Sequence, residues 1–498
     1  MKAVAAIDQG TTSSRCILFS QSGEIIAQAQ KPHRQIFERP GWVEHDALEI
    51  WAAVEETCGQ ALARSGLAAS DIAAVGITNQ RETTVLWEKA SGKPIANAIV
   101  WQDTRTAPFV AAHAAEGEAW RAKTGLPLAT YFSGPKIRWL LEEIPGAREA
   151  ARLGEILFGT IDSWLIFKLT GRHLTDPTNA GRTLLMDLER QAWDEDLCEA
   201  IGVPLAMLPK IRPSSEVYGP ARGALSGVAV AAALGDQQAA LFGQACFSAG
   251  EAKCTYGTGA FLLTHTGETP IISKSGLIAT PACRIGEGPA EYALEGSIAV
   301  AGALVQWLRD KLGIIANAGE IETLAGQARD SGGAVFVPAF SGLFAPHWRS
   351  DARGLIAGLT AYVGKAEIAR AALEATAFQV ADVADAMAAD MKNDDKDLGV
   401  ARLSELRSDG GMAANALFLQ IQADILGLPV VRPAVLETTA LGAAYAAGLA
   451  VGFWDGLEAL RRHWRENARF TPAMSGEARI AARAAWAKGV ERAKGWVD

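Results

Sequence analysis

Five short segments carry hydroxyl, guanidinium, carboxylate and glycine groups at spacings that could do chemistry, and one tryptophan could join them. The first is Asp8-Gln9-Gly10-Thr11-Thr12-Ser13-Ser14-Arg15. Gly10 lets the backbone approach a ligand closely, and a turn there exposes several N–H groups. Thr11, Thr12 and Ser13 add hydroxyl donors and Arg15 a fixed positive charge, so the segment could cradle a phosphate. It is not a Walker loop, since no Gly-Lys-Ser/Thr follows; a merely polar hairpin turn is the simpler alternative. Gly257-Thr258-Gly259 repeats the same chemistry about one domain further along. Two such turns facing one another would hold a triphosphate chain from both sides.

Asp236, in Gly235-Asp236-Gln237-Gln238, follows an apolar run and precedes a helical pattern. Ligand sites of open α/β sheets lie at such strand ends. There Asp236 could act as a general base or help hold a metal; a helix N-cap is the alternative. Arg81 and Glu82 also follow a strand and could hydrogen-bond a polyol, Arg as donor and Glu as acceptor; alone they read equally as a surface ion pair. Trp101 could wall the apolar side of a pocket, or belong to the core. Ser408-Asp409-Gly410-Gly411-Met412-Ala413-Ala414-Asn415 is a glycine turn opening a helix, which would let backbone lie flat against a base or ribose.

These residues need elements to hold them. Short apolar runs at 3–7, 16–19, 25–29 and 73–78 read as strands, and 47–63 repeats apolar residues at helical spacing. Strand clusters followed by helices predict α/β layering. The hairpin around 254–263 resembles the one at 8–15, which predicts a duplicated fold with a cleft between the halves and a boundary near Gln244. Residues 392–397 read as a charge-dense solvated loop and 477–497 as an amphipathic helix.

Composition bounds the function. At roughly 100–200 residues per domain, 498 residues suit two large domains. A net charge of −9 argues against a nucleic-acid partner held through phosphates. The six cysteines show no zinc or redox spacing and fit a reducing cytoplasm. The opening apolar run is too short for a signal-peptide core. The uncharged stretch between Glu437 and Asp455 sits at the bottom of the membrane-spanning range and reads as a buried helix.

The whole pattern resembles the sugar kinases named FGGY for their Phe-Gly-Gly-Tyr motif, and within them the members that phosphorylate glycerol. The resemblance runs from about Ala5 to the tail. It rests on the 8–15 segment, on Gly41-Trp42-Val43-Glu44-His45-Asp46, on Gly76-Ile77-Thr78-Asn79-Gln80-Arg81-Glu82-Thr83-Thr84, and on the segments at 235–243 and 255–259. The family's two signature regions match at Tyr131-Phe132-Ser133-Gly134-Pro135-Lys136-Ile137-Arg138-Trp139 and between Gly354 and Glu374.

The resemblance implies an α/β fold of two actin/hexokinase-like (ribonuclease H-like) domains, 1–244 and 245–498, with the active site in the cleft between them. It implies ATP-dependent phosphorylation of glycerol in the cytoplasm by a homo-oligomer, with magnesium. Arg81, Glu82, Tyr131, Asp236 and Gln237 would contact glycerol, with Trp101 and Phe261 on its carbon chain and Asp236 as the base. Thr11, Thr12, Ser13, Arg15, Thr258 and Gly259 would face the phosphates. Gly302, Gln306, Gly411 and Asn415 would line the nucleoside pocket. Asp8 and Asp236 would serve the metal, Asp8 largely through water. The rivals are a xylulose or gluconate kinase of the same family and a nucleotide-gated assembly protein on the same ATPase fold.

Two segments depart from the pattern. Phe344, in Gly342-Leu343-Phe344-Ala345-Pro346-His347-Trp348, adds bulk where glycerol-phosphorylating relatives have a glycine, and Ser408 replaces a more usual apolar residue. Some bacterial relatives bind fructose 1,6-bisphosphate at a Gly-Gly-x-Gly-Gly-x-Arg loop. The corresponding stretch 219–227, containing Arg222, lacks the paired glycines, so no such inhibition is expected.

Overall fold

A computed structural model describes residues 2–392 and 403–497. Two large sheets dominate it. The first has the strand order Ser215–Pro220, Ala229–Gly235, Ile72–Asn79, Ala3–Gln9, Ser13–Phe19, Ile25–Pro32. The second runs Ile278–Pro281, Tyr292–Ile298, Ala260–Gly267, Ala252–Tyr256, Leu406–Asp409, Val430–Pro433, Glu466–Phe470.

The two sheets share one pattern. In each, an antiparallel hairpin leads the half: Ala3–Gln9 with Ser13–Phe19, and Ala252–Tyr256 with Ala260–Gly267. A third strand continues antiparallel on one side, and on the other side two parallel strands and a final antiparallel one follow. The duplication expected from two similar hairpins is therefore present strand for strand, with Ile278–Pro281 added at the edge of the second sheet.

Local sequence explains the elements. Ala3–Gln9 is buried along its whole length, as a central strand covered on both faces must be. The helix Ala47–Ser65 starts where the Asp46 carboxylate accepts the N–H of Leu48, 2.8 Å, and ends at Gly66 in the left-handed conformation. The stretch after Glu437 forms the buried helix Thr438–Ala450. Among the described residues, no helix is long and apolar enough to cross a membrane.

Thr438–Ala450 lies in sequence between the strands Val430–Pro433 and Glu466–Phe470 of the second sheet but packs on the first, against Ala3–Gln9, Ile72–Asn79 and Ala229–Gly235, and crosses the helix Asp236–Gly243. The crossing is backbone to backbone. A Cβ on Gly442 would lie 1.8 Å from the Ala239 carbonyl oxygen, and one on Gly243 2.0 Å from that of Thr438. Only glycine permits this approach at the junction of the halves.

The tail forms the helix Gly476–Ala493, which buries Trp486, Val490 and Ala493. Of the expected loop at 392–397, only Lys392 is described, as the end of a helix; the rest lies outside the described residues.

Candidate functional site

Register places the site. Gln9, Asn79 and Gly235 stand side by side at the ends of three parallel strands. The chain leaves those ends as the turn at Gly10, as Gln80-Arg81-Glu82, and as Asp236. Three segments far apart in sequence are thus delivered to one edge, where open α/β sheets bind ligands.

In the first turn, Gly10 N–H donates to the Ser13 carbonyl at 2.9 Å, closing the hairpin. Asp8 and Arg15 face one another across it and form an ion pair, 2.5 Å, and Arg15 also reaches Glu437 at 2.7 Å. Burial opposes the Arg15 charge, but Asp8 is the larger influence and raises its pKa. Thr12 lies exposed at the tip, while the Ser13 hydroxyl accepts from Gln30 at 2.8 Å. Trp101 is half-buried rather than core, and its indole N–H donates to the Thr11 hydroxyl at 3.0 Å. Its ring meets Tyr131 edge-on at 5.5 Å, so the apolar wall and the phosphate turn are physically joined.

The polar centre is a buried ion cluster. Arg81 and Glu82 are 2% and 1% exposed, which excludes the surface-pair alternative. Arg81 Nη2 donates to Glu295 Oε1 at 2.9 Å, Nη1 bonds Oε2 of the same carboxylate, and Nε lies 3.1 Å from Asp236 Oδ1. Glu82 accepts from Arg182 Nε at 2.6 Å, and Arg182 Nη2 reaches Glu295 at 3.3 Å. The Arg81 guanidinium stands 5.9 Å over the Phe261 ring. Burial would raise Glu295, but Arg182 and Arg81 outweigh it and hold the carboxyl at about 2.

Asp236 is the first residue of its helix; the N-cap position belongs to Gly235. Its Oδ1 accepts the Gln237 N–H at 2.8 Å, while Oδ2 has no hydrogen-bond partner among the described residues. The side chain is 34% exposed. Burial pushes its pKa up and Arg81 pulls it back, with a net rise. One oxygen is held and the other is open, which suits a base.

The second half completes the cleft. Gly257 N–H donates to the Gly259 carbonyl at 2.8 Å, leaving Thr258 exposed at the tip of the second turn. The Thr258 carbonyl accepts the N–H groups of Ala301 and Ala303, both 3.0 Å, so the turn rests on the start of the helix Gly302–Asp310. A Cβ on Gly302 would come 2.5 Å from the Gly257 oxygen and 3.8 Å from Met412 Sδ, which puts that helix start beside the 410–415 turn. Gln306 and Gly411 are exposed. The Asn415 side chain accepts the Phe418 N–H at 2.7 Å as N-cap of Ala416–Leu426. Phe344 is 40% exposed and its ring stacks on Trp348, with centroids 6.1 Å apart.

Three buried charges that bond the assigned polyol residues Arg81, Glu82 and Gln237 escaped the sequence reading: Arg182, Lys253 and Glu295, none exposed. Lys253 Nζ donates to Gln237 Oε1 at 2.6 Å and to the Thr255 hydroxyl at 2.9 Å, and burial lowers its pKa against the pull of Asp409. The available signal was a lone charge inside an apolar strand, as at Leu294-Glu295-Gly296 and Ala252-Lys253-Cys254, since such residues are buried only when paired. A magnesium ion needs few protein ligands, because it keeps several waters and takes phosphate oxygens. Asp8 and the open oxygen of Asp236 fit that requirement. Among the described residues no group of three or more metal-ligating side chains forms.

Comparison with known proteins follows the same lines. The N-terminal domain profile of the FGGY family of carbohydrate kinases matches residues 3–243, and the C-terminal domain profile matches residues 252–451. A glycerol kinase of Nocardia farcinica is 60% identical over 496 residues, covering 99% of each chain. The crystal structure of Plasmodium falciparum glycerol kinase with ADP superposes with a TM-score of 0.92 at 37% identity, covering 99% of this chain and 98% of that one. A gluconate kinase from Lactobacillus acidophilus shares the fold, with a TM-score of 0.87 at 23% identity over 99% and 97% of the two chains.

Proposed function

Because this chain belongs to the FGGY family of carbohydrate kinases, we propose that it transfers the γ-phosphoryl group of ATP to a terminal hydroxyl of glycerol, giving sn-glycerol 3-phosphate. The observation that carries the reading is the meeting of Arg81, Glu82 and Asp236 beside Phe261, with Arg182 linking Glu82 to Tyr131 and Tyr131 in turn meeting Trp101. Hydroxyls need paired donors and acceptors, and a short carbon chain needs apolar walls.

Asp236 would take the hydroxyl proton on Oδ2 while Arg81 holds Oδ1. Arg81, Glu82, Tyr131 and Gln237 would fix the polyol so that one oxygen points along the transfer line. The turns bearing Thr11, Thr12, Ser13 and Arg15, and Thr258 and Gly259, would bind the phosphates through N–H and hydroxyl groups. Gly302, Gln306, Gly411 and Asn415 would line the nucleoside pocket. Asp8, largely through water, and Asp236 would hold magnesium, whose charge would neutralise that of the phosphates. Division at residue 244 into a glycerol- and phosphate-binding half and a nucleotide-binding half is supported by the two sheets. Six unpaired, buried cysteines support a reducing cytoplasm. A homo-oligomer is part of the same proposal.

The test is ADP release measured across glycerol, dihydroxyacetone, xylulose, ribulose and gluconate. A buried polar group left unpaired by the wrong substrate costs about 1–3 kcal/mol, so two or three such groups predict a preference for glycerol of at least about 100-fold in kcat/KM. A five- or six-carbon substrate turning over best would overturn the glycerol reading and leave the family standing. ATP hydrolysis insensitive to every polyol would favour the assembly-protein alternative.

A further inference from the structure

Glu295 sits in mid-strand in the second half, fully buried, and bonds two guanidinium groups from the first half. Arg81 gives it both terminal nitrogens. Arg182 gives it Nη2 and gives Glu82 its Nε. The two side chains assigned to the polyol, Arg81 and Glu82, are therefore each tied from behind by a residue outside the assigned contact set. The Arg182 guanidinium itself packs against the rings of Tyr131 and Phe132, at 5.4 and 5.3 Å.

We infer that Glu295, acting with Arg182, is a positioning residue for polyol recognition, holding the Arg81 fork away from Asp236. The physical reason is competition. A guanidinium fork takes a nearby carboxylate bidentately when it can. Asp236 lies 3.1 Å from Arg81 Nε, so a fork released from Glu295 would swing onto it and occupy Oδ2 as well as Oδ1. With Glu295 in place the fork is satisfied, and only the Nε edge meets the base. Because Glu295 belongs to the second half and Arg81 to the first, the polyol grip is complete only while the halves keep this spacing. Glycerol binding and the relative position of the halves are thereby linked.

The inference rests on the assignment of Arg81, Glu82 and Asp236 to the polyol site. The substrate panel on the unaltered protein tests that assignment separately. The experiment here compares Glu295→Gln and Glu295→Asp full-length proteins on the best polyol of that panel, with thermal melting recorded for each. Expected for Glu295→Gln is a rise in polyol KM of about tenfold or more with a fall in kcat, while KM for ATP stays within about twofold. Glu295→Asp, which keeps the charge one methylene short, should recover part of the loss. Unchanged polyol KM and kcat would overturn the inference. Equal losses toward polyol and ATP, tracking a lowered melting temperature, would overturn it too, since that is what a purely structural role gives. If Glu295→Gln does not fold, the Arg182→Gln/Glu295→Gln pair removes one charge of each sign, and the same split between the two KM values decides the matter.

Discussion

Arg81 Nε and Asp236 Oδ1 stand 3.1 Å apart at the ends of neighbouring parallel strands, and the contact leaves Asp236 Oδ2 without a protein partner among the described residues. The carboxylate is oriented by one oxygen and available through the other.

Asp236→Asn keeps size and hydrogen bonding but cannot accept the proton. A positioned general base contributes about 10²- to 10⁴-fold, so kcat should fall by that amount with ATP affinity within about twofold. Steady-state turnover together with nucleotide titration checks this. Near-normal turnover removes Asp236 from the role.

A buried acid outside the cleft gives a pH signature. Burial, with Asp176 adding to it, pushes the Asp162 carboxyl up to about 7 against the hydroxyls of Thr160 and Thr175. Its folded pKa is above its unfolded value, so its stabilisation is complete below about pH 4 and is lost as pH rises through about 7. Asp162→Asn should abolish that part of the slope, worth at most a few kcal/mol between pH 4 and 7. Glu295 acts oppositely: held at about 2, it stabilises above about pH 4.5 and loses this as pH falls toward 2. Denaturant melts of wild type and Asp162→Asn at several pH values test the first claim, and a constant difference between them rejects it.

The crossing helices set up a contest between propensity and space. Alanine gains about 1 kcal/mol over glycine inside a helix. At Gly442 the added methyl would overlap the Ala239 carbonyl at 1.8 Å, so Gly442→Ala should lose about 1–3 kcal/mol net. Gly59, in the helix Ala47–Ser65, has nothing within 4 Å of an added Cβ, so Gly59→Ala should gain up to about 1 kcal/mol. Thermal melts of the two variants should move in opposite directions.

The loop at 219–227 predicts an absence of inhibition. A Cβ on Gly223 would meet the Glu55 carboxylate, which places an acidic group against the loop that would have to wrap a phosphate. Activity should stay flat as fructose 1,6-bisphosphate is added. Saturable inhibition that disappears in Arg222→Ala would contradict this.

Much of the architecture was legible locally. The strands expected at 3–7 and 73–78 form as Ala3–Gln9 and Ile72–Asn79, and the hairpin expected at 254–263 forms from Ala252–Tyr256 and Ala260–Gly267. These follow from apolar runs ended by glycine and polar turns, a short-range pattern. Asp236 was likewise legible as a carboxylate at a strand end. Its alternative as an N-cap needed coordinates to settle, because one position along the chain separates the two roles.

The sequence by itself determined which groups the cleft would contain: glycine turns with hydroxyls, a carboxylate beginning a helix, an arginine next to a glutamate, and aromatic rings. Only the tertiary structure decided how the charges pair. Arg81 and Glu295 are 214 residues apart, and Arg182 and Glu82 are 100 apart. No local period links such residues. Arg182 meets Glu82 by packing within the first half, and Glu295 meets both arginines only because two sheets, each folded around its own core, are docked across a junction where Gly442 and Gly243 let backbone touch backbone. A buried charge is tolerated only if its partner arrives, and that arrival is a property of the packed chain rather than of any segment within it.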